Sequence, residues 1–81
     1  MDKHISKRLK KIMSIIFSTP IENIDDNASD ETIKGWDSIA HINLTVALEE
    51  EFGIQFEVSD IPELITYKEI LAKIKDLESK K

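Results

Sequence analysis

Gly35-Trp36-Asp37-Ser38-Ile39-Ala40-His41-Ile42-Asn43-Leu44-Thr45-Val46-Ala47-Leu48-Glu49-Glu50-Glu51-Phe52-Gly53 is the stretch that decides the fold. It predicts a helix over 38–52. Asp37 or Ser38 supplies an N-cap oxygen, and Gly53 stands at the C-terminal exit, where a left-handed residue is favoured. The helix is apolar on two sides. His41, Leu44, Thr45, Leu48 and Phe52 form one stripe, and Ile39, Ile42 and Val46 form a second, well away in angle. A helix in a small bundle needs one buried stripe. The longer one, ending in Phe52, is expected to face the core. The second is then partly exposed, unless the preceding loop covers Ile42 and Val46. Exposed apolar residues bordered by Asp37, Asn43, Glu49 and Glu50 read as a docking surface.

Upstream, Ile5, Leu9, Ile12 and Ile16 recur at steps of 4, 3 and 4, which predicts an amphipathic helix over 3–18 with a solvated basic face. Pro20 lacks a backbone donor and biases Thr19 away from helix, so the helix stops there. Residues 19–37 lack sustained periodicity and form a loop longer than most, and such loops are usually functional. Ile21, Ile24 and Ile33 are expected to pin it to the core. Asp25, Asn27 and Ser29 mimic the first ligands of a calcium-binding loop. The sixth position, however, holds Asp30 rather than Gly, and the twelfth holds Trp36 rather than Glu, so calcium is rejected.

Downstream, Ile54, Phe56 and Val58 alternate with polar residues, but nothing else in the chain offers a pairing strand, so the segment is read as extended loop. Ser59 or Asp60 can cap a short helix over 60–65. Thr66 with Glu69 is a capping box that opens a last helix over 66–78, with Tyr67, Ile70, Leu71, Ile74 and Leu77 on one face. The expected architecture is all-α: one domain over 1–81, a small four-helix bundle of three longer helices and one short one, with a long loop between the first two.

Composition narrows the function. The chain has 81 residues and no cysteine, which excludes a disulfide scaffold, a zinc finger and any thiol nucleophile of its own. His4 and His41 are too far apart in sequence for a local metal-ligand pair, so no metal is expected. The longest apolar run is three residues, and the basic N-terminal stretch is followed by too short an apolar core for a secretory signal. A cytoplasmic location without membrane insertion is expected. Net charge is −5, unevenly spread: residues 1–18 hold five basic and one acidic side chain, and residues 19–65 hold one basic, Lys34, and twelve acidic. That anionic middle repels nucleic acid and attracts basic protein partners.

Ser38 sits where a helix begins, beside Asp37, at the end of the loop. The first turn has free backbone N–H groups and the positive end of the helix dipole, and it tolerates a phosphate on the serine oxygen. His41, three residues on, suggests a nucleophile–base pair. There is no Gly-x-Ser-x-Gly elbow and no third orienting group, so catalysis is not expected. Trp36 either packs the loop end onto the bundle or touches a group attached at Ser38.

The triplet Asp37-Ser38-Ile39, together with Ala47-Leu48-Glu49-Glu50-Glu51-Phe52 at this spacing, resembles the acyl carrier protein family, the phosphopantetheine-binding or thiolation domains. The resemblance spans nearly the whole chain in length, helix order, long first loop and acid balance. It implies 4′-phosphopantetheine on Ser38, donated from coenzyme A by a phosphopantetheinyl transferase, and an acyl cargo carried as a thioester by a non-enzyme. The implied partners are acyl-loading, transfer or condensing enzymes with basic docking surfaces, meeting a monomer at Asp37, Ile39, Ile42, Asn43, Val46, Glu49 and Glu50. Where the family's fatty acid synthesis carriers commonly have acids, two and five positions past the serine, this chain has Ala40 and Asn43. It also has Trp36 where a small residue is common. These departures point to a specialised lipid, polyketide or acyl-transfer pathway. An aminoacyl or peptidyl carrier and an unmodified helical adaptor are the alternatives.

Overall fold

The computed structural model describes residues 2–80; residues 1 and 81 of the predicted domain lie outside them. Three α-helices, α1 (Asp2–Phe17), α2 (Ser38–Phe52) and α3 (Tyr67–Ser79), enclose one apolar core. Single 3₁₀ turns lie at Ile21–Asn23 and Ile61–Glu63. Among the described residues there is no strand, only an isolated antiparallel bridge between Ser29 and Thr66.

The buried line of α1 is Leu9, Met13 and Phe17, with Ile5, Ile12 and Ile16 half-buried beside it. The inner face is therefore turned slightly from the expected Ile5–Leu9–Ile12–Ile16 stripe, because Met13 and Phe17 fill the centre. The helix ends in a left-handed residue, Ser18 (φ 51°), and the Thr19 N–H closes onto the Ser14 carbonyl at 3.1 Å. This six-to-one bond satisfies a carbonyl that the last turn would leave unpaired.

The long loop is fastened at several points. Ile24, Ala28, Ile33 and Trp36 are buried. Ile21 is not: at 43% exposed it sits on the outside of the 3₁₀ turn, so only two of the three expected pins reach the core. Two backbone bonds tie the loop to the start of α3, Asp30 N–H to Ile65 O at 3.0 Å and Tyr67 N–H to Ala28 O at 2.9 Å. The second satisfies a first-turn donor of α3 that the helix itself cannot.

Gly35 explains how the loop end lies so close to α1. A Cβ there would stand 2.3 Å from the Phe17 carbonyl oxygen, a backbone atom that cannot step aside. Gly35→Ala is expected to cost about 1–3 kcal/mol, as overpacking does. A thermal melt checks this; an unchanged midpoint would mean that the loop is not docked here.

Helix α2 is capped by Asp37, whose Oδ1 accepts from Ala40 N–H at 2.8 Å, and it closes on Gly53 in the left-handed region (φ 64°). Its buried side chains are Ala40, Leu44, Thr45, Leu48 and Phe52. Helix α3 is capped by Thr66, whose Oγ1 accepts from Glu69 N–H at 3.1 Å, and it buries Tyr67, Ile70 and Ile74. A hydrogen bond between Ser6 Oγ and Tyr67 OH joins α1 to α3.

The short helix expected over 60–65 is reduced to one 3₁₀ turn. Pro62 contributes no N–H, and Asp60 makes no cap. Its carboxylate instead meets Lys73 Nζ at 3.0 Å, pinning the turn to α3. The hydrogen bond that Lys73 donates to Asp60, above all, raises the Lys73 pKa above the ordinary lysine value.

Candidate functional site

Ser38 is the first residue of α2 and is exposed. Asp37 approaches in an extended conformation (φ −104°, ψ −175°), turning the chain abruptly from loop into helix and leaving the serine at the outer corner. The Asp37 carboxylate points back to Ala40 N–H and the Asp37 carbonyl accepts from His41 N–H at 2.8 Å. The cap is thus made by the aspartate, and the serine hydroxyl is not needed for it. Beside Ser38 lies an open groove of about 300 Å³ lined by Asp30, Trp36, Asp37, Ser38, His41 and Ile65. A hydroxyl at the positive end of a helix, with free space next to it, fits a phosphodiester-linked arm.

His41 does not serve Ser38 as a base. Its Nδ1 accepts from Trp36 Nε1–H at 3.0 Å, and its Nε2 lies 2.7 Å from the Ile61 carbonyl oxygen. Both ring nitrogens are engaged elsewhere. Trp36 is buried at 6% exposure and stacks on Phe17, with ring centroids 4.7 Å apart. It packs the loop end onto α1, one of the two roles the sequence left open. Its ring also borders the groove beside Ser38.

The second stripe of α2 faces outward: Ile39 is 73%, Ile42 59% and Val46 49% exposed. Burial under the loop, the alternative for Ile42 and Val46, does not occur. Asp37, Asn43 and Glu50 are exposed around the stripe. Glu49 is half-buried, and its Oε2 accepts from Phe56 N–H at 2.9 Å. That carboxylate fastens the segment after Gly53, so it contributes less free charge to the rim than its place in the sequence suggests. Arg8 pairs with Glu51 at 2.8 Å and lies over the Phe52 ring, screening the third glutamate of the run.

Ala40 is 9% exposed beneath the Asp37 cap, so an acid at that position would meet the core. Asp30 and Ile65 line the Ser38 groove, yet neither has a sequence signal that could have marked it. They come to Ser38 only because the loop is bonded to the segment before α3.

A family model described as a phosphopantetheine attachment site matches residues 7–74. The chain is also 32% identical, over 77 residues, to the acyl carrier protein of Buchnera aphidicola subsp. Schizaphis graminum (strain Sg), an alignment covering 95% of this chain and 98% of that protein.

Proposed function

As the chain belongs to the acyl carrier protein family, which carries covalent 4′-phosphopantetheine and is not itself catalytic, we propose that Ser38 is the attachment residue. The arm supplies a thiol, which the 81 residues lack, and that thiol takes an acyl group as a thioester. The chain's own residues do the rest. Asp37 caps α2 and so fixes the corner on which Ser38 stands. Ile39, Ile42 and Val46 present an apolar patch to partner enzymes, and Asp37, Asn43 and Glu50 border it. The observation that carries this reading is an exposed serine, free of structural duty, at the start of α2 within the matched segment.

The experiment is incubation with coenzyme A and a broad-specificity phosphopantetheinyl transferase, followed by mass spectrometry. One phosphopantetheinyl unit is expected, on the peptide containing Ser38. No uptake would favour an unmodified helical adaptor.

The pathway is proposed to be a specialised one, since uncharged Asn43 leaves the exposed surface past the serine less acidic than in carriers of general fatty acid synthesis, and buried Ala40 adds no charge to it. Charging with acyl against aminoacyl groups separates this from an aminoacyl carrier. Partners with basic docking surfaces are met in the cytoplasm; among the described residues no helix is long and apolar enough to cross a membrane.

At this surface, charges set encounter rate and orientation, whereas apolar anchors provide the hold. Ile39→Ala is expected to leave the melting midpoint nearly unchanged, because the side chain is 73% exposed, while modification or acyl transfer falls markedly. Each methylene removed from a fully buried contact loses about 0.8 kcal/mol. Glu50→Lys should slow association, and added salt should weaken the wild-type complex. A strongly destabilised Ile39→Ala with normal transfer would overturn the docking surface. Glu49→Lys is a poorer probe, because it also breaks the bond to Phe56 N–H.

A further inference from the structure

The hydrogen bonds of His41 determine its chemical state. An indole N–H can only donate and a backbone carbonyl can only accept. Nδ1, facing Trp36 Nε1–H, is therefore the bare nitrogen, and Nε2, facing Ile61 O, carries the proton. The ring is neutral and bridges two segments at once. Phe17 on α1, Trp36 at the loop end, His41 on α2 and Ile61 on the 3₁₀ turn form one continuous line of contacts bordering the Ser38 corner. The imidazole lies across the seam between α2 and the Ile61–Glu63 turn. The core includes Leu44, Leu48, Ile70 and Ile74, each at most 1% exposed.

An acyl chain tethered near Ser38 is driven out of water toward any apolar space that it can reach, more strongly with each methylene. Passing this seam would break both hydrogen bonds of His41. It would take the partners from a part-buried indole N–H and a part-buried carbonyl, which costs free energy wherever water does not replace them. It would also have to open a close-packed core. The alternative resting place, the groove beside Ser38, is open and mixes Trp36 and Ile65 with Asp30 and Asp37, so it shelters a short or polar group better than a long hydrocarbon.

We infer that His41 is a positioning residue that seals the seam next to the arm and keeps the cargo outside the bundle, which suits this carrier to short or polar acyl groups. The inference rests on the reading of Ser38 as the attachment residue.

The test is a series of holo-protein samples loaded with acetyl, octanoyl and hexadecanoyl groups, each confirmed by mass spectrometry before melting. In the wild type the midpoint should shift by less than about 2 °C across the series, a small change for a domain of this size. The Trp36 indole N–H resonance and the His41 ring nitrogen shifts, with Nδ1 unprotonated, should stay constant. His41→Gln, which offers an acceptor and a donor, should keep the flat series. His41→Ala should make the midpoint rise with chain length and move the methyl resonances of Leu48 and Ile74.

A wild-type midpoint that climbs with chain length, with loss of the Trp36–His41 signature, would overturn the inference, and the wild-type series decides this even if His41→Ala does not fold. A flat series in a folded His41→Ala would overturn the role of His41. Failure to load at all would count against the Ser38 assignment instead.

Discussion

Ser38→Ala is expected to take up no phosphopantetheinyl group and to fold as well as the wild type. The expectation has two parts, and the structure separates them. The loss is complete because the phosphodiester needs the hydroxyl oxygen and alanine has none. The fold is kept because the cap of α2 belongs to Asp37, through the 2.8 Å bond to Ala40 N–H, while Ser38 is exposed. The melting midpoint should thus move by no more than an ordinary surface change, within about 0.5 kcal/mol. Asp37→Ala is the informative contrast. It removes the cap and should cost about 0.5–2 kcal/mol while leaving the hydroxyl in place. Intact-mass measurement and peptide mapping check both variants. Six other serines exist in the chain, so label persisting in Ser38→Ala would place the arm on one of them and overturn the assignment.

The second large effect is on stability. Leu48→Ala is expected to cost about 2–5 kcal/mol. Leu48 is 1% exposed at the middle of the inner stripe of α2, and it belongs to the core that also contains Leu9, Met13, Leu44, Ile70 and Ile74. Removing three carbons there forfeits their transfer free energy and leaves a cavity that α1 and α3 can only partly close. For a domain of about this size each kcal/mol lowers the melting midpoint by about 4–8 °C. Total stability in such domains runs at roughly 0.05–0.15 kcal/mol per residue, so the loss is a large share of the whole. Val46→Ala, two residues away and 49% exposed, is the control and should stay within about 0.5 kcal/mol. Thermal or urea unfolding reads both. The reverse ranking would mean that α2 is rotated from the orientation described.

The three long helices were readable because their signals are local. A cap, a 3.6-residue period and a left-handed exit lie within one segment, as Asp37, the His41–Phe52 stripe and Gly53 do for α2. The inner face of α1 lies a small rotation from the Ile5–Leu9–Ile12–Ile16 stripe, since Met13 and Ile12 are both apolar and only packing decides which is central. The short helix expected over 60–65 shrinks to one turn because Pro62 lacks an N–H and the Asp60 carboxylate, which reads locally as a cap, meets Lys73 of α3 instead.

What the sequence determined by itself is the helical class, the start of α2 at Asp37-Ser38 and the two apolar stripes of α2, because each follows from neighbours in the chain; that Asp37 makes the cap and that Ile42 and Val46 stay uncovered is decided by the tertiary structure. What only the tertiary structure decided is everything that joins segments distant in sequence. The Ala28 carbonyl on the Tyr67 N–H, Asp30 and Ile65 beside Ser38, and the line from Phe17 through Trp36 and His41 to Ile61 have no local pattern. Hydrogen-bond partners and close approaches such as Gly35 on Phe17 arise only when the core draws these segments together, since a donor or a missing Cβ looks the same in sequence whatever it will face.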